Sequence, residues 1–233
     1  DVSENGVMPC HFDHRELPPF LEGTVHALRL PLTREQKFDL LQRVRHSSLW
    51  DEKLKMYKVS ADLSKETPEL GRANAFTRGW LEHESIWLHM EYKYLLEMLK
   101  NGFYDLFFES MADALIPFQP EERYGRSILE NSSFLASSAN PDPATHGRGF
   151  VARLSGATAE FMEMWQTMFF GHVPFSLSNG ELTLAICPAL PACLIPESHE
   201  VSAAFLGHTK VTYILPDGGS VNVRDDGDGY HEA

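Results

Sequence analysis

Apolar residues recur at intervals of three and four through the first two thirds of the chain, and the interval shortens to two near its end. Thr33 followed by Gln36 reads as a capping box ahead of Phe38, Leu40, Leu41 and Val44, whose spacing gives one helix an apolar face. Ile86, Trp87, Met90, Tyr94, Leu95, Met98 and Leu99 mark a further helix, and Asn101-Gly102 supplies its left-handed stop. Leu106, Phe107, Met111 and Leu115 follow at once and end at Pro117, so these helices form an antiparallel hairpin. Phe161, Met164, Trp165, Met168 and Phe169 define another helix, closed by Gly171. From Glu181, Leu182, Leu184 and Ile186 alternate with smaller or polar residues. Val211, Tyr213 and Leu215 are expected to pair with Val221 and Val223 across the turn Asp217-Gly218-Gly219. The pattern divides the chain into a helical part, 1–180, and a small β-rich part, 181–233, with a solvated acidic end from Asp225 to Ala233.

Composition narrows the function classes. A chain of 233 residues, 43% hydrophobic and 11% aromatic, can bury a substantial core. Its formal net charge of −13, from 33 acidic and 20 basic residues, argues against nucleic acid or an anionic membrane as partner. No apolar run approaches the roughly 20 residues that span a bilayer, and the N-terminal residues lack the order of a signal peptide. Cys10, Cys187 and Cys193 show no CxxC or Cys/His ligand spacing and read as reduced structural thiols, which suits a cytoplasmic protein.

The residues that carry candidate chemistry lie on connections between helices, where function usually sits. His83, between Glu82 and Glu84, is either an anion-binding histidine kept protonated by those carboxylates or a helix-cap histidine at a solvent edge. Gly147-Arg148-Gly149 and Arg153-Leu154-Ser155-Gly156 precede the Phe161 helix. They suit either a phosphate cradle at a helix N-terminus or an ordinary glycine-rich helix start. Glu130 and Asn131 offer groups that pair with sugar hydroxyls, and Trp80 could stack on a sugar face. Trp87 and Trp165 fall on apolar stripes and read as core. His11, Asp13 and His14 lack metal-ligand spacing, the Asp225–Asp228 run lacks the later glutamate of a calcium loop, and there is no G-x-S-x-G elbow. No metal or resident cofactor is expected.

The run Arg78-Gly-Trp-Leu-Glu-His-Glu-Ser-Ile-Trp87, with Leu115-Ile-Pro117, Tyr124…Glu130, Gly147-Arg-Gly149 and Leu154-Ser-Gly156, resembles the inverting disaccharide and oligosaccharide phosphorylases related to cellobiose phosphorylase. Ser155 stands where that family usually has Thr, and Asn131-Ser132 replace its Pro-Tyr, which suggests a distant branch acting on longer β-glucans. The resemblance implies half of an (α/α)6 barrel followed by the small β domain. It also implies reversible phosphorolysis of a β-glucosidic bond with inversion, inorganic phosphate being the co-substrate. His83, Arg153, Ser155 and Gly156 would then hold phosphate, and Trp80, Glu82, Glu130 and Asn131 the oligosaccharide. The family's general acid lies in a Gly-Asp-Trp-Asn-Asp type motif that does not occur here. The chain is accordingly expected to be the C-terminal portion of a larger enzyme, to need the remaining N-terminal part to cover its apolar helix faces, and to lack phosphorolysis alone. A homodimer is compatible with this class. Other readings are an inverting hydrolase or transglycosylase with Glu82, Glu84 or Glu130 as base, and a non-catalytic carbohydrate-binding module.

Overall fold

Thr33 accepts the Gln36 amide hydrogen through its hydroxyl and donates its own amide hydrogen to the Gln36 side chain, closing the capping box that starts the second helix. The computed structural model describes residues 2–3, 6–7, 10–11, 14, 16–151 and 155–215. Along it run β1 (Val2–Ser3), β2 (Gly6–Val7), α1 (Leu21–Leu28), α2 (Arg34–Arg45), β3 (Trp50–Asp51) and β4 (Met56–Tyr57). Then come β5 (Ile86–Trp87), α3 (Leu88–Lys100), α4 (Tyr104–Ala114), α5 (Glu121–Tyr124), β6 (Phe134–Leu135), β7 (Gly149–Phe150) and α6 (Ser155–Phe170). The chain continues through β8 (Phe175–Ser178), β9 (Glu181–Leu184), β10 (Glu200–Phe205) and β11 (Thr209–Ile214). Among the described residues no helix is long and apolar enough to cross a membrane.

Helix α3 is the centre of the core and packs against α1, α4 and α6. Leu88, Tyr92, Tyr94, Leu95, Leu96, Met98 and Leu99 are all buried, so the helix is covered nearly all round rather than along one stripe. Gly102 takes φ +74°, and the amides of Gly102 and Phe103 close onto the carbonyls of Leu99 and Met98, as the Asn-Gly pair leads one to expect. The chain then turns into α4, giving the expected helical hairpin.

The expectation of half an (α/α)6 barrel is overturned. The fold is mixed α/β, with short antiparallel sheets set between the helices and no closed sheet among the described residues. The physical reason lies in Ile86-Trp87, which the three-and-four spacing assigns to the start of a helix and which instead forms β5, paired to β6. Strands of two residues are too short to display a period of two, so their apolar residues merge into neighbouring helical patterns. The apolar faces of α3 are covered by the chain's own α1, α4 and α6.

The sheet β5-β6-β7 is antiparallel throughout, which makes its outer strands parallel to each other. Trp87, Phe134 and Phe150 stand in one cross-strand row, and Ile86, Leu135 and Gly149 in the next. Tyr124 closes over the second row. Its hydroxyl donates to the Glu130 carbonyl at 2.6 Å, meets the Ser132 hydroxyl at 2.7 Å and accepts the Ser132 amide hydrogen at 2.9 Å.

The β-rich end is carried by two hairpins. In β8-β9 the pairs Phe175–Leu184 and Leu177–Leu182 share one face, and β10-β11 turns at Leu206-Gly207, both with positive φ. Phe205 of β10 meets Phe170 and Phe175, and Tyr213 of β11 donates a hydrogen bond to the Phe169 carbonyl, fastening this part to the end of α6. Val211 and Tyr213 pair with Ala203 and Val201; the expected partners Val221 and Val223, with the Asp217–Gly219 turn and the acidic end, lie outside the described residues.

Glu91, fully buried on α3, accepts the Tyr57 amide hydrogen through one carboxylate oxygen at 2.8 Å, while the other has no hydrogen-bond partner. Burial, reinforced by the charge of Asp51, raises its carboxyl well above the usual range. A carboxyl raised in the folded state contributes its full stability below the unfolded value of about 4.3 and loses it as pH rises through the folded value. Glu91→Gln keeps the acceptor for Tyr57 and removes the ionisation, so its unfolding free energy should gain on the parent progressively as pH rises above about 4.3. Denaturant unfolding across that range checks this; parallel pH profiles for the two proteins would contradict it.

Candidate functional site

The loop from Arg78 to Ser85 carries most of the residues singled out in the sequence, and its backbone is strained. Gly79, Leu81 and Glu84 have φ of 70°, 49° and 58°, a region that costs a non-glycine residue about 1 kcal/mol or more. Tertiary hydrogen bonds hold it. Trp80 and His83 exchange backbone bonds, the Trp87 indole N–H donates to the Leu81 carbonyl at 2.7 Å, and the Ser60 hydroxyl joins the Glu82 carbonyl to the Glu84 amide. A Cβ on Gly79 would lie 2.3 Å from the Asn140 backbone nitrogen, so only glycine fits beneath that loop.

His83 is buried, 1% exposed, with both edges of its ring engaged inside the protein. Nδ1 lies 2.8 Å from the Phe76 carbonyl, and Nε2 accepts the Leu63 amide hydrogen at 3.0 Å with the Asp62 carboxylate at 3.2 Å. Glu84, expected to help charge this histidine, instead receives Lys58 at 2.8 Å and Arg78 at 2.5 Å. Hydrogen bonds from Ser64, together with the Arg78 charge, hold Asp62 well below the usual carboxylate range. Ligand atoms of Asp62, His83 and Glu84 lie within 4.8 Å of one another. Lys58 and Arg78 already engage the Glu84 carboxylate, and the Leu63 amide engages the ring nitrogen. The cluster is a loop clamp, and the anionic Asp62 beside the ring opposes a phosphate there.

A different place gathers the other candidates. Because β5 and β7 run in the same direction, α3 and α6, which follow them, leave the same end of the sheet and pack side by side. Their N-terminal turns therefore converge there, with amide groups and helix dipoles that favour an anion. Ser155 and Gly156 are the first residues of α6. Arg153 lies outside the described residues. Asn131 reaches the same junction through its side-chain oxygen, which accepts the Tyr92 hydroxyl hydrogen at 3.2 Å, while the Tyr92 ring lies 6.4 Å from Phe161 of α6. The Leu88 amide donates to Ser133 at 3.3 Å, fixing the start of α3 to β6.

His89, in the first turn of α3, is the histidine presented at this junction, 3.8 Å from Glu160 of α6. Burial, with the nearby Lys93 charge, holds the imidazole below its usual range; burial and Glu163 raise the Glu160 carboxyl. Both shifts favour the neutral forms, as burial of two neighbouring titratable groups dictates. Nothing in the local sequence around His89 marked it, since it interrupts an apolar helical run without a recognisable spacing.

Beside the junction stands an aromatic patch. Trp80 is edge-on to Phe134 at 5.0 Å and to Phe150 at 4.4 Å, and Trp87, expected in the core, is half-buried against Phe134 at 5.9 Å. Trp165 is likewise half-buried, between Phe161 and Phe169. Glu82 pairs one carboxylate oxygen with Arg72 at 2.5 Å, and its other oxygen is buried without a hydrogen-bond partner. Glu130 is paired with Arg126 on the surface, which leaves it a local ion pair.

His83→Ala would strand the Leu63 amide and the Phe76 carbonyl and open a small cavity, and is expected to lower the unfolding free energy by about 2–4 kcal/mol. Equilibrium denaturation measures this, and a change below about 0.5 kcal/mol would show that the ring is not a structural clamp. No protein-family model matches the chain, and no curated protein matches it significantly.

Proposed function

We propose that the chain is part of a carbohydrate-active enzyme that cleaves β-glucosidic bonds by reversible phosphorolysis, with phosphate held where α3 and α6 begin and the oligosaccharide on the adjoining aromatic patch. The observation that carries this is the convergence of the two helix N-termini beside Asn131 and His89. Converging amides and an imidazole able to donate a hydrogen bond suit an anion that must bind and then attack. Half-exposed Trp80 and Trp87, with the unpartnered oxygen of Glu82, suit sugar rings and hydroxyls. In phosphorolysis the attacking group is already anionic, so the protein supplies a general acid and no base.

Glu160 favours a second reading. A carboxyl raised by burial, 3.8 Å from a histidine, could act as the acid of an inverting hydrolase. Phosphate separates the two.

Calorimetric titration of the chain with inorganic phosphate and with cello-oligosaccharides tests the proposal. Phosphate should bind saturably, and His89→Ala should weaken it about tenfold or more while sparing oligosaccharide binding. Trp80→Ala should do the reverse. Oligosaccharide binding indifferent to phosphate would support a binding module, cleavage without phosphate would support the hydrolase, and absence of both ligands' binding would overturn the carbohydrate reading.

A further inference from the structure

At the opposite end of α3 from the junction, a cavity of about 570 Å³ is lined by Leu28, Arg29, Lys37, Glu97, Lys100, Asn101 and His172. In a chain of net charge −13 this concentration of basic side chains is unusual. We propose that it is a binding site for a phosphoryl group, either inorganic phosphate or the phosphoryl monoester of a small sugar.

A bland account would have these cations gather to satisfy the carbonyls at the C-terminus of α3. The hydrogen bonds assign that task elsewhere. The Glu97 carbonyl takes the Asn101 amide and side chain, the Met98 and Leu99 carbonyls take Phe103 and Gly102, and Arg34 covers the carbonyls of Asn101 and Gly102. Lys37, from α2, meets the neutral side-chain oxygen of Asn101 at 2.5 Å rather than a carboxylate. Arg29 binds Glu97 through Nε at 2.7 Å and is 43% exposed, and Lys100 pairs with the partly exposed Glu163. His172, just past α6, faces Lys100, Glu163 and Glu97; partial burial and the Lys100 charge hold its ring below the usual range. Arg29, Lys37 and Lys100 thus come from different helices toward one volume, with Glu97 as the carboxylate in its lining. A phosphoryl dianion would supply the missing negative charge, accept from Arg29, Lys37 and Lys100 together, and draw a proton onto His172.

His89 and Lys100 stand about 16 Å apart along α3 at 1.5 Å per residue. Glu160, beside His89, also interacts with Lys100 and Arg29, so Lys37→Gln, on α2, is the variant that tells a direct His172 response from one relayed along α6. The cavity does not depend on the function proposed above. Histidine-ring NMR of the full chain, titrated with inorganic phosphate and with glucose 1-phosphate against potassium chloride of matched ionic strength, tests it. His172 should shift saturably and its pKa should rise by about one unit. Lys37→Gln and Lys100→Gln should each weaken that response about tenfold. Lys37 is partly exposed and bonded to Asn101, and an unchanged melting temperature verifies each variant. A larger response to glucose 1-phosphate than to phosphate assigns the monoester, and the reverse assigns the free ion. A His172 response no greater than in chloride, or one untouched by Lys37→Gln, overturns the site even if His89 still responds to phosphate.

Discussion

The approach of the Tyr124 ring to Gly149 sets the geometry on which the rest of the structure depends. A Cβ on Gly149 would lie 2.3 Å from both the Tyr124 ring and the Ser132 hydroxyl oxygen, far inside any tolerable contact. With glycine there, Tyr124 reaches across β7 to bind Ser132 and Glu130, so the two strands and the preceding turn are locked in one register. That register places the Trp87–Phe134–Phe150 row on one face.

From this lock the distribution of charge follows. Outer strands running in the same direction send α3 and α6 away together, so their positive ends share one end of the sheet. The other end of α3 meets the ends of α1 and α6, where Arg29, Lys100 and His172 assemble around a cavity. An acidic chain thereby gathers positive charge at both ends of its central helix, from helix N-termini at one and basic side chains at the other. The strained loop from Arg78 to Ser85 adds a rigid edge carrying Trp80 and Glu82, kept in place by the buried His83 and by the pairing of Glu84 with Lys58 and Arg78.

Features encoded by contiguous residues were legible in the sequence. The Thr33 capping box, the Asn101-Gly102 stop, the α3–α4 hairpin, α6 and the alternation of β9 and β11 each carry their own local signature. Features that depend on distant pairing were not. Ile86-Trp87, Phe134-Leu135 and Gly149-Phe150 become strands only because they find one another at a distance in the chain, the first two across more than forty residues, and their brevity hides any period. The same limitation inverted the histidines. His83 drew attention from flanking carboxylates that in space turn to lysine and arginine, whereas His89 gains its setting from α6, invisible in its own neighbourhood. Ser155, Gly156 and Asn131, singled out by residue type, are brought near one junction by the sheet.

Hydrogen exchange of Gly149→Ala beside the parent protein tests the central constraint most directly. If the Tyr124–Gly149 contact anchors both helices, the substitution lowers global stability by about 1–3 kcal/mol and speeds exchange in the first turns of α3 and α6 together, while α2 keeps its relative protection. Unchanged stability with unchanged protection at both helix starts would show that the sheet does not set where they begin.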